Sequence, residues 1–280
     1  MPRSPFLLLA HHRSGSNLLN DLLQAHPGIE CLNEPLSMHT SYFRECDLAP
    51  WRWEDFDPGL FHPALAGRPG LRDYLAELRG FLRQSDSRRV VGFKETVLFG
   101  KLEWLKAFMP DLKVLFLKRD VRAVVSSVLR SGLMQELWQY EQRVPLAFAA
   151  LYPHYHRQAP PNEAVAGAEL AAMSVVLRYE LADRTLGLFE HCVLEFESLM
   201  RDPAATLEAV TLFLGVPQDA APLQFLQGRQ SERRGGLFSS FRVRDEVQSG
   251  WQHHLNPRQL QAIEQVLAAA RPAGEEGPHR

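Results

Sequence analysis

The first 25 residues combine an apolar run, a polar turn and an amphipathic run, and this order limits what the chain can fold into. The apolar run Phe6–Ala10 has the length and composition of a buried strand. The polar turn 11–17 follows it, and a helix is predicted over Ser16–Ala25, because residues 18–25 have amphipathic spacing. A strand that enters a helix through such a turn directs backbone N–H groups and the positive helix end to one point. The sequence therefore predicts an anion site at the carboxyl end of a buried strand.

The composition of this turn narrows the kind of anion site. Arg13 brings a formal positive charge, and Ser14, Ser16 and Asn17 bring short hydrogen-bonding side chains. The turn has a single glycine, Gly15, and lacks both the Gly-Lys-Ser/Thr of ATP and GTP loops and the G-x-G-x-x-G of dinucleotide sites. These absences weaken a kinase or ATPase interpretation. The alternative without function is an ordinary strand–helix turn in which Ser14 or Ser16 caps the helix.

A second segment repeats the pattern. Lys113–Leu117 is predicted as a buried strand and Ala123–Leu129 as a helix, with Arg119 at the strand end and Ser127 on the helix. Two anion sites of this type suggest a nucleotide that is phosphorylated at two positions.

Strands and helices alternate along the rest of the chain, and 280 residues suit one large domain. Further strands are predicted over Ile29–Leu32, Val90–Phe93 and Val193–Phe196, and further helices over Leu71–Leu82, Leu102–Phe108, Ala164–Phe189, Ala204–Leu214 and Pro257–Ala270. Residues 39–70 and 133–162 are predicted to be irregular, and the Gly-, Ser- and Arg-rich residues 227–250 to be a mobile flap. The alternation predicts an α/β fold with a parallel sheet covered on both faces.

Charge and composition argue against several classes of protein. A formal net charge of −2 gives no reason to expect a nucleic-acid partner. No apolar run approaches the roughly 20 residues of a membrane span, and the start resembles no secretory signal. We therefore expect a cytoplasmic, bacterial protein, and a homodimer is compatible with the sequence.

Metal and disulfide sites are not expected either. Cys31, Cys46 and Cys192 have neither metal-ligand spacing nor a disulfide framework, and we expect them to be small buried side chains. Adjacent histidines, at 11–12 and 253–254, point to opposite faces of an extended chain, so neither pair is a good chelate. The sequence leaves open whether His11 or His12 lines an acceptor site.

Taken together, these motifs resemble those of the sulfotransferases that use 3′-phosphoadenosine 5′-phosphosulfate (PAPS). The resemblance is carried by Arg13-Ser14-Gly15-Ser16-Asn17-Leu18-Leu19, Ala25-His26-Pro27, Asn33-Glu34-Pro35-Leu36, Glu195-Phe196-Glu197-Ser198-Leu199 and Phe213-Leu214-Gly215-Val216-Pro217. These motifs are most similar to those of carbohydrate and protein-tyrosine sulfotransferases, with Phe196 at a position where the family usually has Tyr. The resemblance implies a P-loop-like three-layer fold in one domain, 1–270. It also implies substrate-side insertions at 39–82 and 133–165, a cofactor flap at 227–250 and a disordered tail at 271–280.

The resemblance implies roles for the two anion sites. Residues 13–18, including Leu18, would hold the 5′-phosphosulfate, and Arg119 with Ser127, eight residues apart, would hold the 3′-phosphate. Arg244 stands seven residues before Trp251, the spacing of the family's flap arginine, and would reach the same phosphate. The family's Arg-Lys-Gly is Arg-Asp-Glu here, so the alternative for Arg244 is a solvated charge run.

The resemblance also implies the residues of the chemistry. Glu34 would take the proton of an acceptor hydroxyl, and Pro35 is expected to keep Glu34 extended. Arg13 would stabilise charge on the transferred group, and Lys94 would stabilise the leaving oxygen. The alternatives are a solvated Glu34 or one paired with Arg13, and a surface Lys94 paired with Glu95.

The implied activity is transfer of a sulfuryl group to a hydroxyl of a carbohydrate or small natural product, with 3′,5′-bisphosphoadenosine (PAP) as product and no metal. Aromatic side chains in segments 51–62 and 138–155 are expected to stack on the acceptor. Two alternatives stay open at this stage: an ATP-dependent small-molecule kinase and a nucleotide-binding protein without catalysis.

Overall fold

The computed structural model describes residues 4–36, 71–83, 89–132, 138, 141–156, 163–230 and 250–271. The statements below concern these residues. The predictions for residues 39–70, for Cys46, for the flap from residue 231 to 249 including Arg244, and for residues 272–280 lie outside them.

A five-stranded sheet forms the centre of the molecule. The strands are β1 (Phe6–Ala10), β2 (Ile29–Asn33), β3 (Val90–Glu95), β4 (Lys113–Lys118) and β5 (Glu190–Glu195). Their order in the sheet is β2-β3-β1-β4-β5, and every neighbouring pair is parallel. The predicted parallel sheet is confirmed.

Helices follow or precede each strand. They are α1 (Ser16–Ala25), α2 (Leu71–Arg83), α3 (Leu102–Phe108), α4 (Val121–Arg130), α5 (Val144–Leu151), α6 (Glu163–Thr185), α7 (Phe196–Arg201), α8 (Pro203–Leu214), α9 (Ala221–Gln230), α10 (Trp251–His254) and α11 (Pro257–Ala269). Short 3₁₀ turns at Phe99–Lys101 and Leu186–Leu188 precede α3 and follow α6.

Alternate residues of the strands are buried in two separate apolar cores, one on each face of the sheet. Leu7 and Leu9 of β1 pack with residues of α2, α3 and α6 on one face of the sheet. Phe6 and Leu8 pack with residues of α1, α8 and α9 on the other face. A third cluster joins α4, α5, α6 and α11 beside the sheet. Since side chains alternate across a strand, a near-continuous apolar run such as Phe6–Ala10 requires cover on both faces, and the three-layer α/β fold is confirmed.

Three predicted boundaries are wrong. Residues 144–151, which were predicted to be irregular, form α5, which begins with Val144 and a proline in its first turn. Strand β5 ends at Glu195 rather than Phe196, because Phe196 starts α7 and is buried in the core. The long predicted helix 164–189 ends as α-helix at Thr185 and continues as a 3₁₀ turn.

Of the cysteines that the structure describes, Cys31 is buried as expected, whereas Cys192 is only half-buried. Cys31 and Cys192 are free, and burial raises the pKa of both thiols. Within those ranges, no helix has the length and apolar character needed to cross a membrane. No group of three or more metal-ligating side chains lies together in the described part of the chain.

The parallel arrangement aligns the strand ends on one side of the sheet, here called the carboxyl edge. The turn after β1, Glu34 after β2, Lys94 at the end of β3, Arg119 after β4 and Phe196 after β5 all lie along it. Open parallel sheets bind their ligands at this edge.

Candidate active site

Residues 11–17 comprise the turn between β1 and α1 and the first two residues of α1, and are called the anion turn below. Their backbone is left-handed at two positions. Gly15 has φ 88° and Arg13 has φ 66°. A left-handed conformation costs a residue with a side chain about 1–2 kcal/mol, so the surrounding contacts must hold Arg13 in place. Gly15 is the N-cap of α1 and no side chain caps the helix, so the alternative in which Ser14 or Ser16 does so is wrong.

Gly15 is also required by its neighbour. A Cβ atom at Gly15 would lie 2.1 Å from Cε2 of Phe196, so the ring packs directly on the glycine backbone. Phe196 is buried, at the start of α7. The contact with Phe196 at the start of α7 therefore fixes the position of the anion turn.

Arg13, Arg119 and Ser127, predicted from two separate segments, lie together. Nε of Arg13 donates a hydrogen bond to Oγ of Ser127 over 3.1 Å. Nη1 of Arg119 donates to the main-chain oxygen of Arg13 over 3.0 Å. The neighbouring positions of β1 and β4 in the sheet produce this arrangement, and the two predicted anion sites form one basic surface.

Arg119 is held by three contacts from other elements. Its main-chain N–H donates to the hydroxyl of Tyr179 over 2.9 Å, and that hydroxyl donates to its main-chain oxygen over 3.1 Å. Its guanidinium lies over the ring of Phe196, 4.5 Å from the centroid, a cation–π geometry. Burial raises the pKa of Tyr179 to about 12, with opposing contributions from Ser14 and the Arg119 main chain, so Tyr179 is a hydroxyl donor at neutral pH.

Lys94 joins Glu34 to the anion turn. The amine of Lys94 lies 2.8 Å from Oε1 of Glu34 and donates to Oδ1 of Asn17 over 2.6 Å. The side chain of Lys94 is 1% exposed and that of Glu34 is 13% exposed. The alternatives of a surface lysine paired with Glu95 and of a solvated Glu34 or one paired with Arg13 are therefore wrong.

The backbone of Glu34 differs from its prediction. Glu34 has φ 49°, a left-handed conformation, whereas the following proline was expected to keep it extended. The main-chain N–H of Glu34 donates to the oxygen of Lys94 over 2.8 Å, extending the β2–β3 pairing by one residue. The chain then turns sharply, and this turn directs the Glu34 carboxylate back to the Lys94 amine.

Three side chains within residues 13–18 are buried. Leu18 is buried in the apolar core between the sheet and α1, and Ser14 and Ser16 are buried as well. Main-chain N–H groups at a helix start are the donors that such a turn supplies to anions.

His11 belongs to a buried polar network. Nδ1 of His11 lies 2.7 Å from the oxygen of His12, and Nε2 lies 3.4 Å from Oγ of Ser174. Ser174 accepts a hydrogen bond from Arg178, whose guanidinium forms a bidentate pair with Glu141 at 2.9 and 3.2 Å. His11 is 1% exposed, and its side chain is held within this network beside the anion turn.

The aromatic residues of segment 138–155 also have structural contacts. The rings of Tyr152 and Tyr155 pack on Phe148 with centroids 4.7 and 5.1 Å away, and Trp138 packs against the same helical core. Tyr152 and Tyr155 are half-buried, and the expectation that rings of this segment stack on an acceptor stays a prediction.

Comparison with known proteins agrees with this geometry. The family model described as "Sulfotransferase family" matches residues 5–220, which is more than half of the chain. The chain belongs to the sulfotransferase family. No curated protein matches its sequence.

Solved structures of other sulfotransferases share the fold. The sulfotransferase domain of the curacin biosynthetic pathway is 16% identical, with 95% of this chain and 98% of that domain covered and a TM-score of 0.56. The sulfotransferase domain of the Synechococcus PCC 7002 olefin synthase is 19% identical, with 97% and 96% covered and a TM-score of 0.52. A mouse sulfotransferase solved in complex with PAP is 14% identical, with 95% and 83% covered and a TM-score of 0.50.

Three residues in or beside the candidate site were not among those predicted for it. The position of Phe196 at the site could have been predicted from the sequence, because it follows a strand at the carboxyl edge just as Arg119 does. Glu95 stands beside Lys94 at a strand end and was weighed only as an ion-pair partner. Tyr179 lies within α6, and nothing in the sequence around it indicates a contact with Arg119.

Proposed function

We propose that this sulfotransferase transfers the sulfuryl group of PAPS to a hydroxyl of a carbohydrate or small natural product. The observation that carries the proposal is the contact of the Lys94 amine with both Glu34 and Asn17. Through this contact a carboxylate suited to take a proton is joined to an anion-binding turn. Membership of the sulfotransferase family supports sulfuryl transfer in general.

The donor set suits a nucleotide with phosphate at both its 3′ and 5′ positions. We assign the 5′-phosphosulfate to the main chain of residues 13–18 and to the guanidinium of Arg13. We assign the 3′-phosphate to Arg119 and Ser127, since guanidinium and hydroxyl groups are the usual partners of phosphate oxygens. The contact between Arg13 and Ser127 supports one ligand that spans both sites.

Three side chains have roles in the proposed reaction. Glu34 takes the acceptor's hydroxyl proton, and its contact with Lys94 fixes the orientation of the carboxylate. Arg13 and Lys94 supply positive charge where negative charge develops on the transferred group and on the departing oxygen. PAPS supplies the sulfuryl group: a new acceptor O–S bond forms as the S–O bond to the 5′-phosphate breaks, and PAP leaves.

We also propose that residues 1–270 act as one sulfotransferase domain. The extent of the family match and the coverage of the similar structures support a single unit. In this proposal Arg244 contributes to the 3′-phosphate site.

Nucleotide discrimination tests the donor assignment. Thermal unfolding is measured with PAP, AMP and ATP at equal concentrations. A ligand at one hundred times its dissociation constant stabilises the folded state by about 2.7 kcal/mol, which raises the midpoint clearly. We expect PAP to stabilise far more than AMP or ATP. Stabilisation by ATP alone would favour a kinase, and equal effects of PAP and AMP would remove the 3′-phosphate from the proposal.

Arg119→Lys tests whether Arg119 recognises the 3′-phosphate. Lysine keeps the charge but loses the planar guanidinium that lies on Phe196, so we expect PAP affinity to fall at least tenfold and AMP affinity much less. Arg122→Lys is the matched control, because Arg122 pairs with Asp120 and Glu264. Equal losses for PAP and AMP in the Arg119 variant would contradict the assignment.

Glu34→Gln tests the proton acceptor. We expect turnover, measured as PAP release from PAPS with a panel of sugars and phenols, to fall by about 10²–10⁴-fold. PAP affinity should stay within about twofold, because Lys94 keeps its bond to Asn17. Glu30→Gln is the control, because Glu30 lies on β2, the strand that Glu34 follows, but pairs with Arg89. Turnover that survives in Glu34→Gln would exclude Glu34 as the base.

A further inference from the structure

We propose that Glu95 is a positioning residue for Glu34: its buried carboxyl group holds the main chain just after the proposed base. The inference rests on the proposed function of Glu34. It assigns a role to a side chain that neither the anion turn nor the proton transfer uses.

Glu95 ends β3 immediately after Lys94, and the two side chains point to opposite faces of the sheet. Lys94 points to the face covered by α1, where it meets Asn17. Glu95 points to the face where Phe93 and Leu36 are buried in the other core. The chain from Glu34 to Leu36 therefore crosses the end of β3 from one face to the other.

Hydrogen bonds hold this crossing on both sides of Glu34. On the N-terminal side, the main-chain N–H of Glu34 itself donates to the main-chain oxygen of Lys94 over 2.8 Å. On the C-terminal side of Glu34, the main-chain N–H of Leu36 donates to Oε1 of Glu95 over 2.6 Å. The hydroxyl of Tyr74 on α2 also donates to the main-chain oxygen of Pro35. Glu34 lies between these fixed points with φ 49°.

Because the backbone of Glu34 is left-handed, the hydrogen bond from the Leu36 N–H to Glu95 is needed to hold it in that conformation. A residue with a side chain leaves this conformation readily when its neighbours are not held. Leu36 is 0% exposed, so its N–H has no solvent to replace the Glu95 carboxyl. Without that acceptor the segment can relax, and the Glu34 carboxylate moves relative to the Lys94 amine. Displacements of about 1 Å are enough to slow a positioned proton transfer greatly.

The experiment compares Glu95→Ala, Glu95→Gln and Tyr74→Phe with the wild type. Turnover is PAP release from PAPS, with the fastest acceptor of the sugar and phenol panel and with water alone. PAP affinity is measured separately by titration. Leu105→Ala is the control for lost stability, because Leu105 is fully buried in the same core but lies away from the crossing segment. Glutamine keeps an oxygen that can accept the Leu36 N–H, so it tests for rescue.

We expect Glu95→Ala to lower kcat at least tenfold, with KM for PAPS and the affinity for PAP within twofold of wild type. Glu95→Gln should recover most of the turnover, Tyr74→Phe should show a smaller loss, and Leu105→Ala should lose stability while keeping kcat. Three outcomes would overturn the proposal: wild-type kcat in Glu95→Ala, equal losses of turnover and PAP affinity, or a Leu105→Ala variant that loses kcat as strongly.

Hydrogen exchange separates this proposal from the proposed function. If the wild type binds PAP but transfers sulfuryl groups to no acceptor and not to water, the proposed function fails. The positioning of Glu34 is then judged from the exchange of its main-chain N–H. Faster exchange in Glu95→Ala, restored in Glu95→Gln, supports the positioning role, and unchanged exchange in Glu95→Ala overturns it.

Discussion

At the scale of single residues, Gly15 combines two constraints that no other residue type can meet together. Its φ of 88° disfavours any side chain, and its Cβ position is occupied by the ring of Phe196. We expect Gly15→Ala to lower the free energy of unfolding by about 2–5 kcal/mol, the sum of backbone strain and overpacking. PAP affinity should fall more than tenfold as the turn shifts. Urea unfolding and PAP titration measure the two effects.

Gly132→Ala separates the cost of left-handed backbone from the cost of a collision with a neighbouring side chain. Gly132 has φ 72° and, among the described residues, no atom within 4 Å of its Cβ position, so the variant carries strain without a collision there. We expect a loss of about 1–2 kcal/mol and no change in PAP affinity. Equal losses of stability in the two alanine variants would mean that Phe196 moves aside at no cost.

Residue chemistry at the site could be predicted from the sequence, but the contacts could not. Arg13, Lys94 and Arg119 were recognised from strand ends that precede turns or helices. Their partners depend on strand order: Asn33 pairs with Lys94 only because β2 and β3 are neighbours, and this register brings Glu34 to the Lys94 amine. One sequence contains no direct information on which strands are adjacent.

At the scale of secondary-structure elements, the N-cap of α4 connects local stability to the anion site. Asp120 accepts from the N–H of Arg122 over 2.7 Å, and α4 carries Ser127 two turns later. We expect Asp120→Ala to lower the free energy of unfolding by about 1 kcal/mol and to weaken PAP binding severalfold. Calorimetric unfolding and PAP titration test both effects.

Asp202→Ala is the matched control for this cap. Asp202 caps α8 by accepting from Ala205 N–H over 3.0 Å, and α8 contributes none of the proposed site residues. A similar loss of stability with unchanged PAP affinity is expected. If both variants weaken PAP equally, the effect on PAP is one of general stability and not of Ser127.

Two elements of the anion site were predicted with their observed bounds, and their chemistry explains why. Strand β1 and helix α1 have the predicted bounds, because an unbroken apolar run and a clear helical spacing meet at one polar turn. Helix α5 was missed because its sequence is apolar on every side and has little helical periodicity, with Leu146 left 75% exposed. Its helical conformation depends on packing against α6, which the sequence does not show.

At the scale of the whole molecule, the buried pair of Arg178 and Glu141 joins the helical layer to the chain beside the anion turn. The two side chains are 2% and 4% exposed, and Arg178 also bonds to Ser174, which contacts His11. Removing one partner leaves the other charge buried, so we expect Arg178→Met or Glu141→Leu to cost about 3–5 kcal/mol. The double variant should be more stable than either single variant, because it buries no unpaired charge.

Urea unfolding of the two single variants and the double variant measures this coupling. Arg184→Ala is the control on the same helix, since the pair of Arg184 with Glu180 is exposed and should contribute less than about 1 kcal/mol. A loss in the double variant equal to the sum of the single losses would contradict the coupling. Because His11 directly follows β1 and α6 carries Arg178, we expect one cooperative transition in every variant, followed equally by circular dichroism and tryptophan fluorescence. Separate transitions would mean that the helical layer unfolds independently of the sheet.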